Sequence, residues 1–396
     1  MKSLIRYTLD HCNKCLKCLH QCPTQAISII EDRVIINNDN CIHCGKCIDQ
    51  CLTRGLKETS SRLESIQQYD FTVALVPTAI FGSCKNNQEV YQLIQAILSL
   101  GFSEVEVIDK IETSCSEYVI QQAHTSEQTI ISSNCPVANN LIRLRYPMLV
   151  EHLSKVDYPS EVAARYVRDK YKEKAHLGIF YLAECVGKLA LAKYPLEHLN
   201  YEVDHAIALS VLFPILNKNL KPVDHHEYPL SYQALRKTMG KSLDQPGYLN
   251  VDGIEKIQHV LELEEFDLID NIHYLNLKTC FNGCVGGNLL WGNPYNGKNN
   301  IKQLLKQAHH ESIEIDERWL MRKEEENPRK STKDFKKRLD YFTKMNQQLQ
   351  QLPEYDCGAC GYPSCRIMAE KILEGKHQLE DCLVLSSKKR GQYENK

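Results

Sequence analysis

The alternation of apolar and polar residues along the chain predicts an α/β fold. Phe71–Val76 is a short apolar run that ends at Pro77, as expected of a buried strand. Apolar residues recur at helical spacing over residues 90–100, and Gly101 marks the end of that helix. Residues 105–108 are a second strand-like run. A strand–helix–strand order of this kind is typical of α/β domains.

Further strand-like runs occur at residues 129–132, 177–182 and 205–209. Cys135 follows the first of these runs closely, and Cys185 follows the second. A rigid sheet aims the side chains that lie just beyond its strands. The placement of both cysteines therefore suits a site built on loops at strand ends.

Near the start of the chain, the apolar residues 26–30 and 33–36 flank Glu31 and Asp32, which predicts a β-hairpin. Residues 57–68 are polar and predict a linker. Charges dominate residues 311–344, including residues 324–326 and 336–338. This charged stretch is either a docking surface for a partner or a solvated helix or linker, and the second interpretation is favoured.

The cysteine content is the unusual feature of the composition. The chain has 18 cysteines in 396 residues, a length that favours two to four domains, while its hydrophobic content of 43% is ordinary for a soluble protein. A net charge of −2 favours neither nucleic acid nor a membrane surface. The first residues do not resemble a signal peptide, and no apolar stretch is long enough to span a membrane. We therefore expect a cytoplasmic protein whose cysteines bind metal.

The first eight cysteines repeat the spacing C-x2-C-x2-C-x3-C twice, which is the bacterial ferredoxin pattern. In this pattern, the fourth cysteine of each run binds the cluster of the other run. A structural zinc site is the disfavoured alternative. The predicted ligands are Cys12, Cys15, Cys18 and Cys51 for one [4Fe–4S] cluster, and Cys41, Cys44, Cys47 and Cys22 for the other.

A third cysteine group lies near the end of the chain. Its spacing resembles the small single-cubane module attached to corrinoid iron–sulfur proteins and to a membrane electron-transport subunit. This resemblance implies a third [4Fe–4S] cluster with a role in electron transfer. A zinc ribbon is the alternative. The four cysteines of this group are Cys357, Cys360, Cys365 and Cys382. Residues 367–373 can start a helix that brings Cys382 back to the other three.

Two cysteines in the segment KTCFNGCVGG, Cys280 and Cys284, complete a further set of four with Cys135 and Cys185. Glycines around the two let the backbone approach a bulky cluster closely. Four thiolates can hold one iron–sulfur cube. The two cysteines outside all sets, Cys84 and Cys115, are expected to be buried packing residues.

The loops SSNCP, AECVGK and KTCFNGCVGG resemble, in order, the three loops of the catalytic domain of [FeFe]-hydrogenases, roughly TSCCP, MPCxxK and MACxGGCxxGG. The resemblance covers residues 73–307. It implies that Cys135, Cys185, Cys280 and Cys284 hold the cubane of an H-cluster. It further implies that Cys284 bridges to a diiron unit with CO and CN ligands, and that Lys188 reaches a cyanide.

Three positions depart from the loops of this family. Asn134 replaces a cysteine that relays protons, and an amide does not titrate near neutral pH. Glu184 and Lys278 stand where proline and methionine are usual. Burying two ionisable groups beside a cluster costs free energy, so we expect them to form an ion pair or to take part in the chemistry. Glu184 or Lys278 either supplies a substituted proton relay, or the two form a mutual salt bridge. Such departures resemble the sensory-type branch of the family.

Together these patterns predict an α/β fold with three kinds of domain. We expect a ferredoxin-like β-hairpin cluster domain, a two-lobed α/β hydrogenase-type domain, a charged helical linker and a small C-terminal helical iron–sulfur module. Their predicted bounds are residues 1–60, 70–308, 309–350 and 351–396.

Three functions follow from these expectations. The first is an oxidoreductase that turns over or senses H₂ at an H-cluster, with electrons relayed through [4Fe–4S] clusters. The second is an electron-transfer or redox-sensing protein with a cubane but no diiron site. The third, disfavoured because the doubled ferredoxin pattern is complete, is an iron–sulfur assembly factor. The expected partners are H₂ and protons, a redox protein such as ferredoxin, a signalling partner and the hydrogenase maturation enzymes.

Overall fold

The computed structural model describes residues 4–132, 134–193, 202–223, 226–241, 244–322 and 335–387. The described residues form two compact units. The first unit comprises residues 4–41, 46–58 and 335–387, and the second comprises residues 42–45 and the described part of 59–322. The predicted domain bounds stay a prediction.

The first unit begins with two short antiparallel sheets. Strand β2 pairs with β3, so that Ile27 lies opposite Ile36 and Ile30 opposite Arg33, which confirms the predicted hairpin. Glu31 and Asp32 both have positive φ, which is the geometry of a two-residue hairpin turn. Strand β1 pairs with β4, a pairing too short to be predicted. The elements of this part are β1 Ile5–Tyr7, α1 Lys17–His20, β2 Ile27–Ile30, β3 Arg33–Ile36, α2 Lys46–Asp49 and β4 Leu56–Glu58.

The second unit alternates strands and helices. Its elements are β5 Phe71–Val76, α3 Asn87–Leu98, β6 Glu104–Val107, α4 Asp109–Thr125, β7 Ile130–Ile131, α5 Pro136–Arg145, α6 Pro159–Lys170, β8 Leu177–Ala183, α7 Val186–Lys193, β9 His205–Ala208, α8 Leu209–Asn219, α9 Tyr232–Thr238, β10 Tyr248–Asp252, α10 Ile254–Glu265, β11 Tyr274–Lys278, α11 Pro294–Leu304 and α12 Glu317–Leu320.

One lobe of the second unit is built on a four-stranded sheet. Its strand order is β6-β5-β8-β9, and every pair is parallel. Helices cover such a sheet on both faces, so its central strands are apolar throughout. This is why β5 and β8 were predicted from apolar runs, whereas the edge strand β6 alternates glutamate with valine.

The other lobe is built on the parallel sheet β10-β11-β7, which has its own hydrophobic core. Of these three strands only β7 was predicted. Buried polar residues interrupt the apolar pattern of the other two: Asn276 of β11 donates a hydrogen bond to Asn250 of β10 over 2.9 Å. The two-lobed α/β fold expected for this region is confirmed.

The first unit closes with α13 Phe335–Leu349 and α14 Cys365–Leu373. Helix α14 begins two residues before the predicted start, because Ser364 caps it by accepting a hydrogen bond from the Ile367 amide. Residues 324–326 of the charged stretch lie outside the described residues, as do the side chains of residues 336–338. Among the described helices, none combines the length and the apolar composition that crossing a bilayer requires.

Candidate metal centres

Four cysteines line one cavity of about 410 Å³ in the second unit. Cys135 lies beyond β7, Cys185 lies beyond β8, and Cys280 and Cys284 lie beyond β11. The carboxyl ends of strands from both lobes therefore meet at this central cavity. Among the described residues, no three His, Cys, Asp or Glu side chains lie close enough to share one metal ion. The four thiols line one cavity, and a [4Fe–4S] cluster is held by four thiolates.

Local backbone features place the cysteine loops. Cys135 is the residue before α5, and Pro136 occupies the first turn of that helix, where its missing N–H is tolerated. Gly283 has a φ of +77°, and a Cβ there would lie 2.2 Å from the backbone nitrogen of Gly240. Only glycine allows the loop that carries Cys284 to approach the end of α9 this closely.

A buried ion pair forms part of the cavity wall. Lys188 donates a short hydrogen bond to Glu184, and their side chains are 11% and 1% exposed. Tyr181 donates to the other carboxylate oxygen over 2.9 Å. Burial opposes the charge on Lys188, but the Glu184 carboxylate outweighs it and raises the pKa of Lys188 well above its usual value. This pairing of Glu184 with Lys188, which lies one helical turn away, was not anticipated from the sequence, and both the substituted relay and the salt bridge to Lys278 stay predictions.

The two remaining departures from the hydrogenase loops also line the central cavity. Asn134 is buried and donates to Ser132 Oγ over 3.0 Å, while its own side-chain oxygen has no hydrogen-bond partner among the described residues. Lys278 is 2% exposed, and burial raises the pKa of Cys284 although the nearby Lys278 charge opposes that rise. A buried cation beside four cysteines favours an anionic occupant of the cavity.

The electrostatics of the cavity are set by burial and by these lysines. Burial raises the pKa of the Cys185 thiol, and the neighbouring Glu184 raises it further. Burial also raises the pKa of Cys284, whereas Lys278 and Lys188 oppose that rise. A metal-bound thiolate is stabilised by positive charge nearby. The side chains around Cys284 therefore suit ligation better than those around Cys185.

Asn288 joins two parts of the second unit that the sequence does not connect. Its side-chain oxygen accepts a hydrogen bond from the Val186 amide over 3.0 Å, and its nitrogen donates to the Cys44 carbonyl over 2.9 Å. Cys44 also lines the central cavity. Sequence reasoning missed both contacts, because a lone asparagine after a glycine pair carries no distinctive signal.

The first predicted ferredoxin set is brought together in the first unit. Its four members line a cavity of about 380 Å³ together with Tyr7, Ile29 and Val34. Burial raises the pKa of Cys18 to about 11. The cysteines that share this cavity are Cys12, Cys15, Cys18 and Cys51.

The second predicted ferredoxin set is divided between the two units. Cys22, Cys41 and Cys47 belong to the core of the first unit, where the Ala26 amide donates to the Cys22 sulfur over 3.2 Å. Cys44 belongs to the second unit. This set of four stays a prediction.

The C-terminal cysteines also share a cavity, of about 320 Å³. Asp356 accepts a hydrogen bond from the Cys365 amide over 2.6 Å, which fixes the start of α14. The lining cysteines are Cys357, Cys360, Cys365 and Cys382. The two cysteines outside all sets are buried as expected, and burial raises the pKa of both Cys84 and Cys115 to about 12.

Models of known protein families match three separate regions of the chain. Residues 71–234 match the family described as iron only hydrogenase large subunit, C-terminal domain. Residues 4–52 match a 4Fe-4S dicluster domain, and residues 352–384 match an Fe-S cluster family. Cys280 and Cys284 of the central cavity follow the last residue of the hydrogenase match. No curated protein gives a significant match to the chain.

Solved structures of similar fold are distant in sequence. A variant of [FeFe]-hydrogenase HydA1 from Chlamydomonas reinhardtii is 12% identical, with a TM-score of 0.47, and the match covers 67% of this chain and 96% of that one. A HydA(deltaEFG) structure concerned with stepwise H-cluster assembly is 14% identical, with a TM-score of 0.46, and the match covers 63% of this chain and 89% of that one.

The resemblance to iron-only hydrogenases is thereby confirmed. The chain carries a hydrogenase-like region between two iron–sulfur cluster regions. It is a hydrogenase-like iron–sulfur protein, and the family matches favour an oxidoreductase.

Proposed function

We propose that this chain is a redox protein whose central cavity holds a [4Fe–4S] cluster on Cys135, Cys185, Cys280 and Cys284. The observation that carries the proposal is that these cysteines, distant in sequence, line one cavity. Bound there, the cluster would accept and release one electron at a time. The remaining [4Fe–4S] sites would relay electrons to and from it.

The neighbouring residues fit an anionic cluster. Lys278 is a buried cation without an ion-pair partner among the described residues, and the net negative charge of a thiolate-bound cluster would compensate it. Gly283 and Gly287 leave no room for side chains where the loops meet: a Cβ at Gly287 would lie 2.4 Å from the Glu184 carbonyl oxygen. The chain therefore supplies the cysteine ligands, the positive charge of Lys278 and the closely packed backbone that an anionic cluster in this cavity would need.

The central cavity is close in volume to the cavity of a predicted [4Fe–4S] site. At about 410 Å³ it is only slightly larger than the cavity of about 380 Å³ lined by the first ferredoxin set. Glu184, Lys188, Lys278 and Asn134 take up the wall around the cysteines. Any occupant of the cavity therefore lies beside the Glu184–Lys188 pair.

A second candidate function is reversible H₂ oxidation and proton reduction, or H₂ sensing, at an H-cluster. The observation that favours it is that Lys188 and Cys284 line the same cavity. These are the two residues to which the resemblance assigns contacts with a diiron unit. This function requires the hydrogenase maturation enzymes, a relay to replace the cysteine at Asn134, and an electron partner such as ferredoxin.

Iron content tests the first proposal. Four [4Fe–4S] clusters give about sixteen iron atoms per anaerobically prepared chain, and Cys284→Ala should lose about four of them. Cys84→Ala is the control, because Cys84 is buried but belongs to no set. If Cys284→Ala keeps all of its iron, the central cluster site is wrong.

Infrared spectroscopy separates the two functions. The chain is produced together with the hydrogenase maturation enzymes and its spectrum is recorded. Bands of metal-bound CO and CN⁻ that disappear in Cys284→Ala would establish a diiron unit and favour H₂ chemistry. A full complement of cubane iron without these bands would leave electron transfer or redox sensing as the function.

A further inference from the structure

The C-terminal cysteine loop lies directly against the ferredoxin-type part of the first unit. The Ile29 amide, in strand β2, donates a hydrogen bond to the Gly361 carbonyl over 2.7 Å. A Cβ at Gly361 would lie 2.0 Å from the Ile29 carbonyl oxygen. The two backbones therefore approach more closely than any side chain at position 361 would allow.

A second contact flanks the first. Gly358 faces helix α1, and a Cβ there would lie 3.0 Å from Leu19 Cδ2 and 3.1 Å from the His20 ring. Leu19 is fully buried. Gly358 and Gly361 each directly follow a cysteine, Cys357 and Cys360. The loop thus contacts the ferredoxin-type part through residues adjacent to two predicted cluster ligands.

Ile29 belongs to both sites. It lines the cavity shared by Cys12, Cys15, Cys18 and Cys51, while its amide binds the residue that follows Cys360. From Cys360 to the first cavity, the route comprises the backbone from Cys360 to the Gly361 carbonyl, one hydrogen bond and the Ile29 residue. Electron tunnelling weakens steeply with distance and is carried better by bonds and hydrogen bonds than across gaps. This contact is therefore a short electronic connection.

We propose that Ile29 and Gly361 form an electron junction that directly couples the C-terminal cluster to the first ferredoxin-type cluster. With both clusters bound, Ile29 and Gly361 would provide the route for one electron from the reduced cluster to the oxidised one. The inference rests on the proposed presence of [4Fe–4S] clusters at both sites. It does not depend on what occupies the central cavity.

The contact itself is tested by amide hydrogen exchange in the full, cluster-loaded chain. Gly361→Ala should raise the exchange rate of the Ile29 amide about tenfold or more, because its acceptor is displaced. Gly375→Ala is the matched control, since Gly375 also has a positive φ, of +71°, but a Cβ there meets nothing within 4 Å. Equal exchange rates in the two variants would overturn the junction.

The electronic coupling is tested by electron paramagnetic resonance of the fully reduced chain. The double variant Cys365→Ala with Cys382→Ala removes the C-terminal cluster and supplies the reference spectrum. In the parent chain, the signal of the first ferredoxin-type cluster should be broadened relative to this reference. Gly361→Ala should lose the broadening while it keeps its iron.

Each remaining outcome has a defined meaning. If the signal of the first ferredoxin-type cluster has the same width in the parent chain as in the reference, the junction is overturned, even if Gly361→Ala fails to retain iron. A coupling that persists in Gly361→Ala, with faster exchange at Ile29, also overturns it. A chain without iron at the C-terminal site overturns the cluster assignment there, whereas loss of central iron in Cys284→Ala bears only on the central site.

Discussion

Glu184 and Lys188 form an ion pair one helical turn apart, buried in the wall of the cavity that Cys185 lines. The resemblance to hydrogenases assigns the Lys188 ammonium to a cyanide of a diiron unit. In this chain a carboxylate of the same loop holds that ammonium instead. The pair is therefore the first contact to test when electron transfer and H₂ chemistry are compared.

Removing the carboxylate should destabilise the second unit. Glu184→Gln leaves the buried Lys188 charge without its partner, which costs about 3–5 kcal/mol for a buried pair. Chemical denaturation under anaerobic conditions measures the loss. Combining Glu184→Gln with Lys188→Met removes both charges and should restore most of the stability. If the single and double variants are equally unstable, the pair is not what stabilises the wall. Unchanged H₂ turnover in Glu184→Gln would exclude this residue as a proton relay.

Lys278 should raise the reduction potential of a cluster in the central cavity. Its buried positive charge favours the more negative, reduced state, so Lys278→Met should lower the potential by on the order of tens of millivolts. A redox titration followed by electron paramagnetic resonance measures the change. Lys302→Met removes an exposed charge that solvent screens, and should leave the potential nearly unchanged. A potential that is the same in both variants would contradict this role of Lys278.

Gly283 should not tolerate a side chain. Gly283→Ala places a Cβ against the backbone of Gly240 and strains a φ of +77°, so it should cost more than about 2 kcal/mol and reduce iron at the central site. Gly253→Ala is the control, because Gly253 has a φ of +91° and open space around it. Thermal unfolding and iron content distinguish the two variants. Similar losses in both would show that backbone strain matters and close packing does not.

Asn288 should couple the Cys44 segment to the loop of Cys185. Asn288→Ala leaves the Val186 amide and the Cys44 carbonyl without their partner, which costs about 1–3 kcal/mol for each group left unsatisfied. Asn288→Asp keeps the acceptor for Val186 and loses the donor to Cys44. Amide exchange at Val186 should therefore rise in the alanine variant and stay slow in the aspartate variant. Faster exchange at Val186 in the aspartate variant than in the alanine variant would show that the Cys44 contact dominates.

Glu161 should make stability depend on pH. It is 2% exposed, and burial, together with the nearby Asp157, raises its pKa from 4.5 to about 8. A raised folded-state pKa means that the contribution of Glu161 is fully present below pH 4.5 and lost as the pH rises through 8. The free energy of unfolding should therefore fall by up to about 1.4 kcal/mol per pH unit in this range. Glu161→Gln should flatten this decline in denaturation curves between pH 5 and 8, and an unchanged decline would contradict it.

Local patterns were enough to predict most of the described strands but few of the described helices. Phe71–Val76 is a strand with the predicted bounds, because a parallel strand covered on both faces must be apolar throughout. The hairpin of β2 and β3 follows from two apolar runs around a two-residue turn. Strands β10 and β11 could not be predicted, since Asn250 and Asn276 satisfy each other only once the strands pair.

The sequence by itself determined the short cysteine spacings that predict the ferredoxin-type and C-terminal sets, whereas the members of the central set lie far apart in the sequence. Only the tertiary structure decided what surrounds the cysteines of each set. It paired Glu184 with Lys188 and left Lys278 as a buried cation, and it set Gly361 against Ile29. These relationships join residues from separate loops, and their energies depend on burial and distance. Both quantities exist only after the chain has folded.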